Sequence, residues 1–149
     1  MVAIRLRLSI AVFQQGELNI RMNGQNEISI IQSFYGTDPL RVSATEKALS
    51  NLLKMAVPFS KFDWVFVEGQ LDESRAKFKW LSNHGITYVF VKMTLEQFDV
   101  MYKPELWNIG QTHAKFDKYC FLDSDVYFSN EDWLDQIHIG FDKYDVFSP

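Results

Sequence analysis

Short apolar segments alternate with longer amphipathic ones along most of this chain of 149 residues, and that alternation is the strongest constraint on its fold. Between the apolar segments, leucine, alanine and tryptophan side chains recur at helical spacing. Strands that alternate with helices form a parallel sheet with helices on both faces. The sequence therefore predicts an α/β, Rossmann-like fold with a mostly parallel sheet. The predicted strands are 28–34, 64–67, 86–91, 119–122 and 144–147.

Capping and turn residues predict where the helices begin and end. Ser43 with Glu46 three residues later is a capping box, which favours a helix start there. Gly85 and Gly140 each follow a helical segment, as residues that end helices do. The other expectations are a loop at 68–70, a helix from Asp72 or Ser74 to Asn83, an irregular or short helical segment at 95–102, a helix from Pro104 to about Ala114, and one over 131–137 capped by Asn130.

The first 26 residues show a different pattern. Residues 2–12 alternate strictly between apolar and other side chains, and residues 18–22 alternate again after a glutamine–glycine turn. This is the pattern of a β-hairpin with one buried face. We therefore expect an N-terminal hairpin at 1–26 and one α/β domain at 27–149.

Composition excludes several classes of function. The formal net charge is −4, which disfavours general binding to nucleic acid or anionic membranes. The single cysteine, Cys120, permits neither an internal disulfide nor a cysteine-rich metal site. No apolar run reaches the ~18 residues of a membrane helix, and no signal-peptide pattern is present. These features predict a cytoplasmic protein.

Two carboxylates leave the end of a predicted buried strand together. Asp123 and Asp125 directly follow the apolar segment 119–122. In open α/β sheets, ligands bind beyond the carboxyl ends of the strands. Carboxylate oxygens suit Mg²⁺ or Mn²⁺, which take substrate phosphates as further ligands. The same spacing also suits a solvated turn or a helix cap, so both interpretations stay open on these residues alone.

The surroundings of this Asp-Ser-Asp sequence resemble a known family. A helix with Trp107-Asn108-Ile109-Gly110 precedes the strand Tyr119-Cys-Phe-Leu122, and Trp133 and a Tyr-Asp-Val segment at 144–146 follow it. Upstream lie Ile30-Ile-Gln-Ser-Phe-Tyr35 and Val67-Glu-Gly-Gln-Leu-Asp-Glu-Ser74. This order resembles the nucleotide-sugar glycosyltransferases of the GT-A fold, especially inverting family 2. The resemblance covers about residues 27–149.

The resemblance implies a role for each matching residue. Asp125 would bind Mn²⁺ or Mg²⁺ through the donor diphosphate, and Asp123 would face the donor ribose and the metal's water shell. Glu68 would hold the base or ribose, with Tyr35 beside the base. The implied donor is a UDP- or GDP-linked sugar. Lys103 would approach the diphosphate, and Asn108 would line the pocket or brace the Asp-Ser-Asp loop.

The sequence also departs from that family. Glu68 stands where an aspartate is usual, and residues matching the acceptor-binding half and its catalytic base are missing. We therefore expect a donor-binding half whose acceptor, a glycan, lipid or protein, meets a partner chain that covers the missing part. The alternatives are a non-catalytic relative with weak or no nucleotide binding, and a phosphatase of the haloacid-dehalogenase type. The latter normally has its Asp-x-Asp motif on the first strand.

Overall fold

The centre of the molecule is a four-stranded parallel sheet. The structure is a computed structural model, and it describes residues 27–55, 62–100, 103–129 and 132–143. The strands are β1 (Ile28–Tyr35), β2 (Phe62–Gln70), β3 (Thr87–Lys92) and β4 (Tyr119–Asp123), and the α-helices are α1 (Pro39–Lys54), α2 (Leu95–Asp99), α3 (Lys103–His113) and α4 (Trp133–Lys143). The strand order is β3-β2-β1-β4, with every neighbouring pair parallel. The predicted α/β fold is confirmed.

Apolar side chains on both faces of β1 explain why helices pack against both faces of the sheet. Ile30 and Phe34 belong to one core cluster, which also contains Leu49 of α1. Ile31 belongs to a second cluster, with Leu106 of α3. Side chains alternate across a strand, so a nearly continuous apolar run needs a helix on each side.

The register of β1 brings the strand ends together. Ser33 is the partner of Asp123 in β4, and Tyr35 is the partner of Gly69 in β2. In parallel strands these partners point to the same face of the sheet. The end of β4 therefore lies beside the end of β1, and whatever follows Asp123 sits next to Tyr35.

Helix α1 begins earlier than the sequence suggested. The predicted capping box at Ser43 and Glu46 is wrong, because the helix starts at Pro39. The Asp38 side chain accepts a hydrogen bond from the Leu40 backbone N–H at 3.0 Å. An aspartate N-cap followed by proline at the first helical position is a stronger start signal than a serine one turn later.

The segment after the second strand also differs from expectation. Residues 68–70 are part of β2 and not a loop. The predicted helix from Asp72 or Ser74 to Asn83 is two short 3-10 helices, Glu73–Arg75 and Lys79–His84. Asp72, one of the two predicted caps, is the N-cap of the first of them. The two are separate because the backbone N–H groups of residues 77 and 78 bind the Glu68 carboxylate, and so are not used within a helix.

Two glycines predicted to end helices behave differently. Gly85 ends its 3-10 helix with a left-handed φ of 77°, as expected. Gly140 does not end α4, which continues to Lys143 and holds Gly140 buried within it. The short helix expected near residue 95 is α2, and the helix expected at Pro104 is α3.

Some predictions fall on residues outside the described part of the chain. They are the hairpin at 1–26, the Asn130 cap and the strand at 144–147. Among the described residues, no helix has the length and apolar character needed to cross a membrane.

Candidate functional site

The Asp123-Ser124-Asp125 turn is fixed by hydrogen bonds from two neighbouring elements. The Gln32 amide of β1 donates to the Asp123 carbonyl at 3.1 Å. The Thr45 hydroxyl of α1 donates to the buried Ser124 hydroxyl at 3.1 Å. The Val126 N–H closes the turn on the Asp123 carbonyl at 3.3 Å. The backbone that carries the two carboxylates is thus held from both β1 and α1.

The two carboxylates have different surroundings. Asp123 is half-buried on the α3 face of the sheet, where it forms an ion pair with Lys103 at the first residue of α3. Asp125 is exposed. The turn therefore offers one carboxylate that already has a counter-ion and one that faces solvent.

Lys103 lies among groups of both charges. Burial lowers the pKa of Lys103, while the charge of Asp125 raises it and the charge of Arg41 lowers it further. The ammonium also lies 5.1 Å from the centre of the Trp107 ring, within the range of a cation–π contact. Lys103 thus lies near both aspartates and also near a second cation, Arg41.

Tyr35 ends β1 on the same face as Asp123. Its ring is buried and makes an edge contact with Phe98, with centroids 6.1 Å apart. The Arg41 guanidinium lies 5.4 Å from the Tyr35 ring centre and 5.7 Å from that of Phe34. Arg41 therefore lies between the aromatic side chains at the end of β1 and the charged group around Lys103.

Glu68 binds the protein's own backbone. Its side chain is fully buried, and its two oxygens accept hydrogen bonds from the N–H groups of Lys77 and Phe78 at 2.8 to 3.1 Å. The Tyr88 hydroxyl donates to it at 2.9 Å and the Gln70 amide at 3.3 Å. These contacts give Glu68 a role in holding the 71–78 segment, and they leave it no exposed surface for a nucleotide.

Asn108 is exposed on α3, and the structure does not bring it into the cluster around Asp123. Gly110, two residues on, is buried against the sheet. A Cβ atom there would lie 2.5 Å from Cγ2 of Ile31 and 3.2 Å from Cγ2 of Val67. In the Asn-x-Gly element, the glycine thus allows close packing of α3 on β1 and β2.

The structure therefore groups Tyr35, Lys103, Asp123 and Asp125, and it separates Glu68 and Asn108 from them. Sequence reasoning missed Arg41, Gln32 and Thr45. Gln32 carried a signal, because it is a polar residue within the apolar segment 28–34. Arg41 and Thr45 lie on an amphipathic helix, where nothing in the spacing distinguishes them from other polar positions.

Asp123 and Asp125 are residues of the type that holds Mg²⁺ or Mn²⁺ when further ligands come from elsewhere. Among the described residues, no three His, Cys, Asp or Glu side chains form a group that could hold a metal. Such ions are commonly held by one or two carboxylates together with substrate phosphates, which Asp123 and Asp125 could satisfy. Ser33, the register partner of Asp123, is 4% exposed, and its hydroxyl has no hydrogen-bond partner among the described residues.

Comparison of folds gives consistent matches. Residues 1–349 of TarS from S. aureus superpose with a TM-score of 0.56 at 19% identity, over 79% of this chain and 33% of that one. The same protein in complex with UDP-GlcNAc gives 0.54 at 16% identity, over 79% and 32%. The mannosyltransferase PcManGT from Pyrobaculum calidifontis, in complex with GDP-Man and Mn²⁺, gives 0.52 at 20% identity, over 72% and 30%.

The chain has a GT-A-type fold. The resemblance noted in the sequence is thereby confirmed for the fold. This chain spans about a third of the length of each of these three structures. Comparison by sequence gives no match, either to a protein-family model or to a curated protein.

Proposed function

We propose that this chain binds the nucleotide-diphosphate sugar donor of a glycosyltransferase, together with Mn²⁺ or Mg²⁺. The observation that carries the proposal is the position of the Asp123-Ser124-Asp125 turn, beside the end of β1 in a GT-A-type sheet. The similar structures support it, because they include complexes with UDP-GlcNAc and with GDP-Man and Mn²⁺.

Each residue of the cluster has a distinct proposed task. Asp125 and Asp123 would hold the metal, which neutralises charge on a departing diphosphate when it is bound. Lys103 and Arg41 would supply positive charge for that diphosphate. Tyr35 borders the base. Glu68 acts indirectly, by fixing the 71–78 segment next to the end of β2.

Calorimetry with UDP and GDP, each with and without Mn²⁺, tests this proposal. We expect nucleotide binding to become tighter when Mn²⁺ is added. In Asp125→Asn, the factor by which Mn²⁺ tightens nucleotide binding should fall by about tenfold or more. Asp117→Asn is the matched control, because Asp117 is also exposed but precedes β4 at the opposite end of the strand. Absence of metal-dependent binding with both nucleotides would refute the proposal.

A non-catalytic relative is the second candidate. The observation in its favour is the Lys103–Asp123 ion pair, which already neutralises one of the two carboxylates. Donor hydrolysis separates the two candidates: release of sugar from UDP- or GDP-linked donors by the chain, lost in Asp125→Asn, would exclude the non-catalytic one. Binding without any turnover would favour it.

A further inference from the structure

Lys103 occupies the place on Asp123 that a metal ion would need. The two side chains pair in a half-buried position, with 27% and 28% of their surfaces exposed. The Trp107 ring beneath the ammonium further favours a cation there. A divalent ion that is to bind Oδ1 of Asp123 must therefore compete with a cation that belongs to the chain.

The charges around the turn are balanced before any ligand arrives. Asp123 and Asp125 contribute two negative charges, and Lys103 and Arg41 contribute two positive ones. A divalent ion alone would displace Lys103 and leave the cluster with excess positive charge. A diphosphate alone would meet Asp125 while Lys103 is still engaged. When both arrive, the metal can take the aspartates and the diphosphate can take Lys103.

We propose that Lys103 is an exchangeable counter-ion, which pairs with Asp123 in the empty site and moves to the donor diphosphate when metal and donor bind together. Metal and diphosphate then each strengthen binding of the other. This inference rests on the proposed function, because it assumes that metal and diphosphate meet at this turn.

The Ser33 hydroxyl gives the exchange a second support. It is buried, it lacks a hydrogen-bond partner within the described residues, and its register partner on the next strand is Asp123. A buried hydroxyl without a hydrogen-bond partner destabilises the fold, so its presence calls for an explanation such as a partner that becomes available in another state. Asp123 is the register partner of Ser33 on the same face of the sheet, so its carboxylate is a candidate acceptor for that proton once Lys103 has moved away.

Lys103→Met tests the exchange, because methionine keeps much of the apolar stem and removes the charge. The readouts are binding of Mn²⁺ alone, from the electron paramagnetic resonance signal of free Mn²⁺, and binding of UDP with and without Mn²⁺ by calorimetry. We expect Lys103→Met to bind Mn²⁺ alone more tightly and UDP with Mn²⁺ more weakly. The factor by which UDP strengthens Mn²⁺ binding should fall by roughly tenfold, within the usual range of coupling between sites.

Two controls separate exchange from a general charge effect. Arg41→Met removes a nearby cation that has no ion pair with Asp123, so it should raise the affinity for Mn²⁺ alone less than Lys103→Met does. Lys115→Met, exposed and before β4, should change neither affinity. Lys103→Gln replaces Lys103→Met if thermal unfolding shows that the methionine variant does not fold.

Removing the charge of Asp123, the partner of Lys103, should raise one affinity and not lower it. Asp123→Asn frees Lys103, so this variant should bind UDP without metal more tightly than the wild type does. The gain in affinity over the wild type should be larger for Asp123→Asn than for Asp125→Asn. Equal coupling in the wild type and the Lys103 variant would overturn the exchange while leaving the proposed function intact. A wild type that binds no nucleotide with Mn²⁺ would overturn both.

Discussion

The Thr45 hydroxyl of α1 donates a hydrogen bond to the Ser124 hydroxyl at 3.1 Å, and both side chains are buried. Ser124 is the residue between the two aspartates of the candidate site. Helix α1 therefore helps to set where both carboxylates point, although it supplies neither of them.

Thr45→Val should loosen this connection without changing side-chain volume. We expect the free energy of unfolding to fall by about 1 kcal/mol, because the buried Ser124 hydroxyl loses its partner. UDP binding in the presence of Mn²⁺ should weaken as well, since the turn is no longer fixed from α1. Urea unfolding and calorimetry measure the two effects. Ser50→Ala, at an exposed position of the same helix, should not lower the free energy of unfolding and should leave UDP binding unchanged.

Glu68→Gln should destabilise the fold strongly for so small a change. The carboxylate accepts backbone hydrogen bonds from residues 77 and 78 and one from the Tyr88 hydroxyl, and an amide would present an N–H to some of these donors. We expect a loss of about 2 to 3 kcal/mol in the free energy of unfolding, measured in urea.

The matched control for Glu68 is Glu73→Gln. Glu73 forms an ion pair with Lys79 at 3.2 Å, with both side chains largely exposed. Exposed pairs contribute little, so the loss should stay below about 1 kcal/mol. Equal losses in the two variants would contradict the structural role of the Glu68 carboxylate.

The behaviour of Glu68 shows what the sequence could and could not predict. The apolar segments predicted the sheet, and the two aspartates directly after 119–122 predicted a turn at its carboxyl edge. The direction of the Glu68 side chain depends on backbone N–H groups nine and ten residues later, which no local pattern encodes. The pairing of Lys103 with Asp123 likewise depends on how α3 packs against the sheet.

Gly110→Ala tests how closely α3 packs against β1. The added methyl group would lie 2.5 Å from Cγ2 of Ile31, a side chain with no exposed surface. Overpacking of this kind typically costs about 1 to 3 kcal/mol, against a gain of about 1 kcal/mol from helix propensity. We expect a net loss of up to about 2 kcal/mol in the free energy of unfolding, measured in urea. Asn108→Ala, exposed on the same helix, should lose nothing measurable.

Cys120 should make stability fall at alkaline pH. Burial raises the pKa of the Cys120 thiol from 9.0 to about 12. The unfolded chain therefore releases this proton at a lower pH than the folded chain does. The stabilisation is fully present below pH 9 and is lost as the pH rises towards about 12, by at most about 1.4 kcal/mol per pH unit for one proton.

The variant Cys120→Ala isolates that contribution from other groups. Burial also raises the pKa of Tyr88, and the neighbouring Glu68 adds to the effect, so the wild type alone would report both residues. Urea unfolding of the wild type and the variant at several pH values between 8 and 11 gives the difference in their free energies of unfolding. We expect the wild type to lose stability faster than the variant as the pH rises. Parallel curves would show that the folded chain lets the Cys120 thiol ionise as readily as the unfolded one.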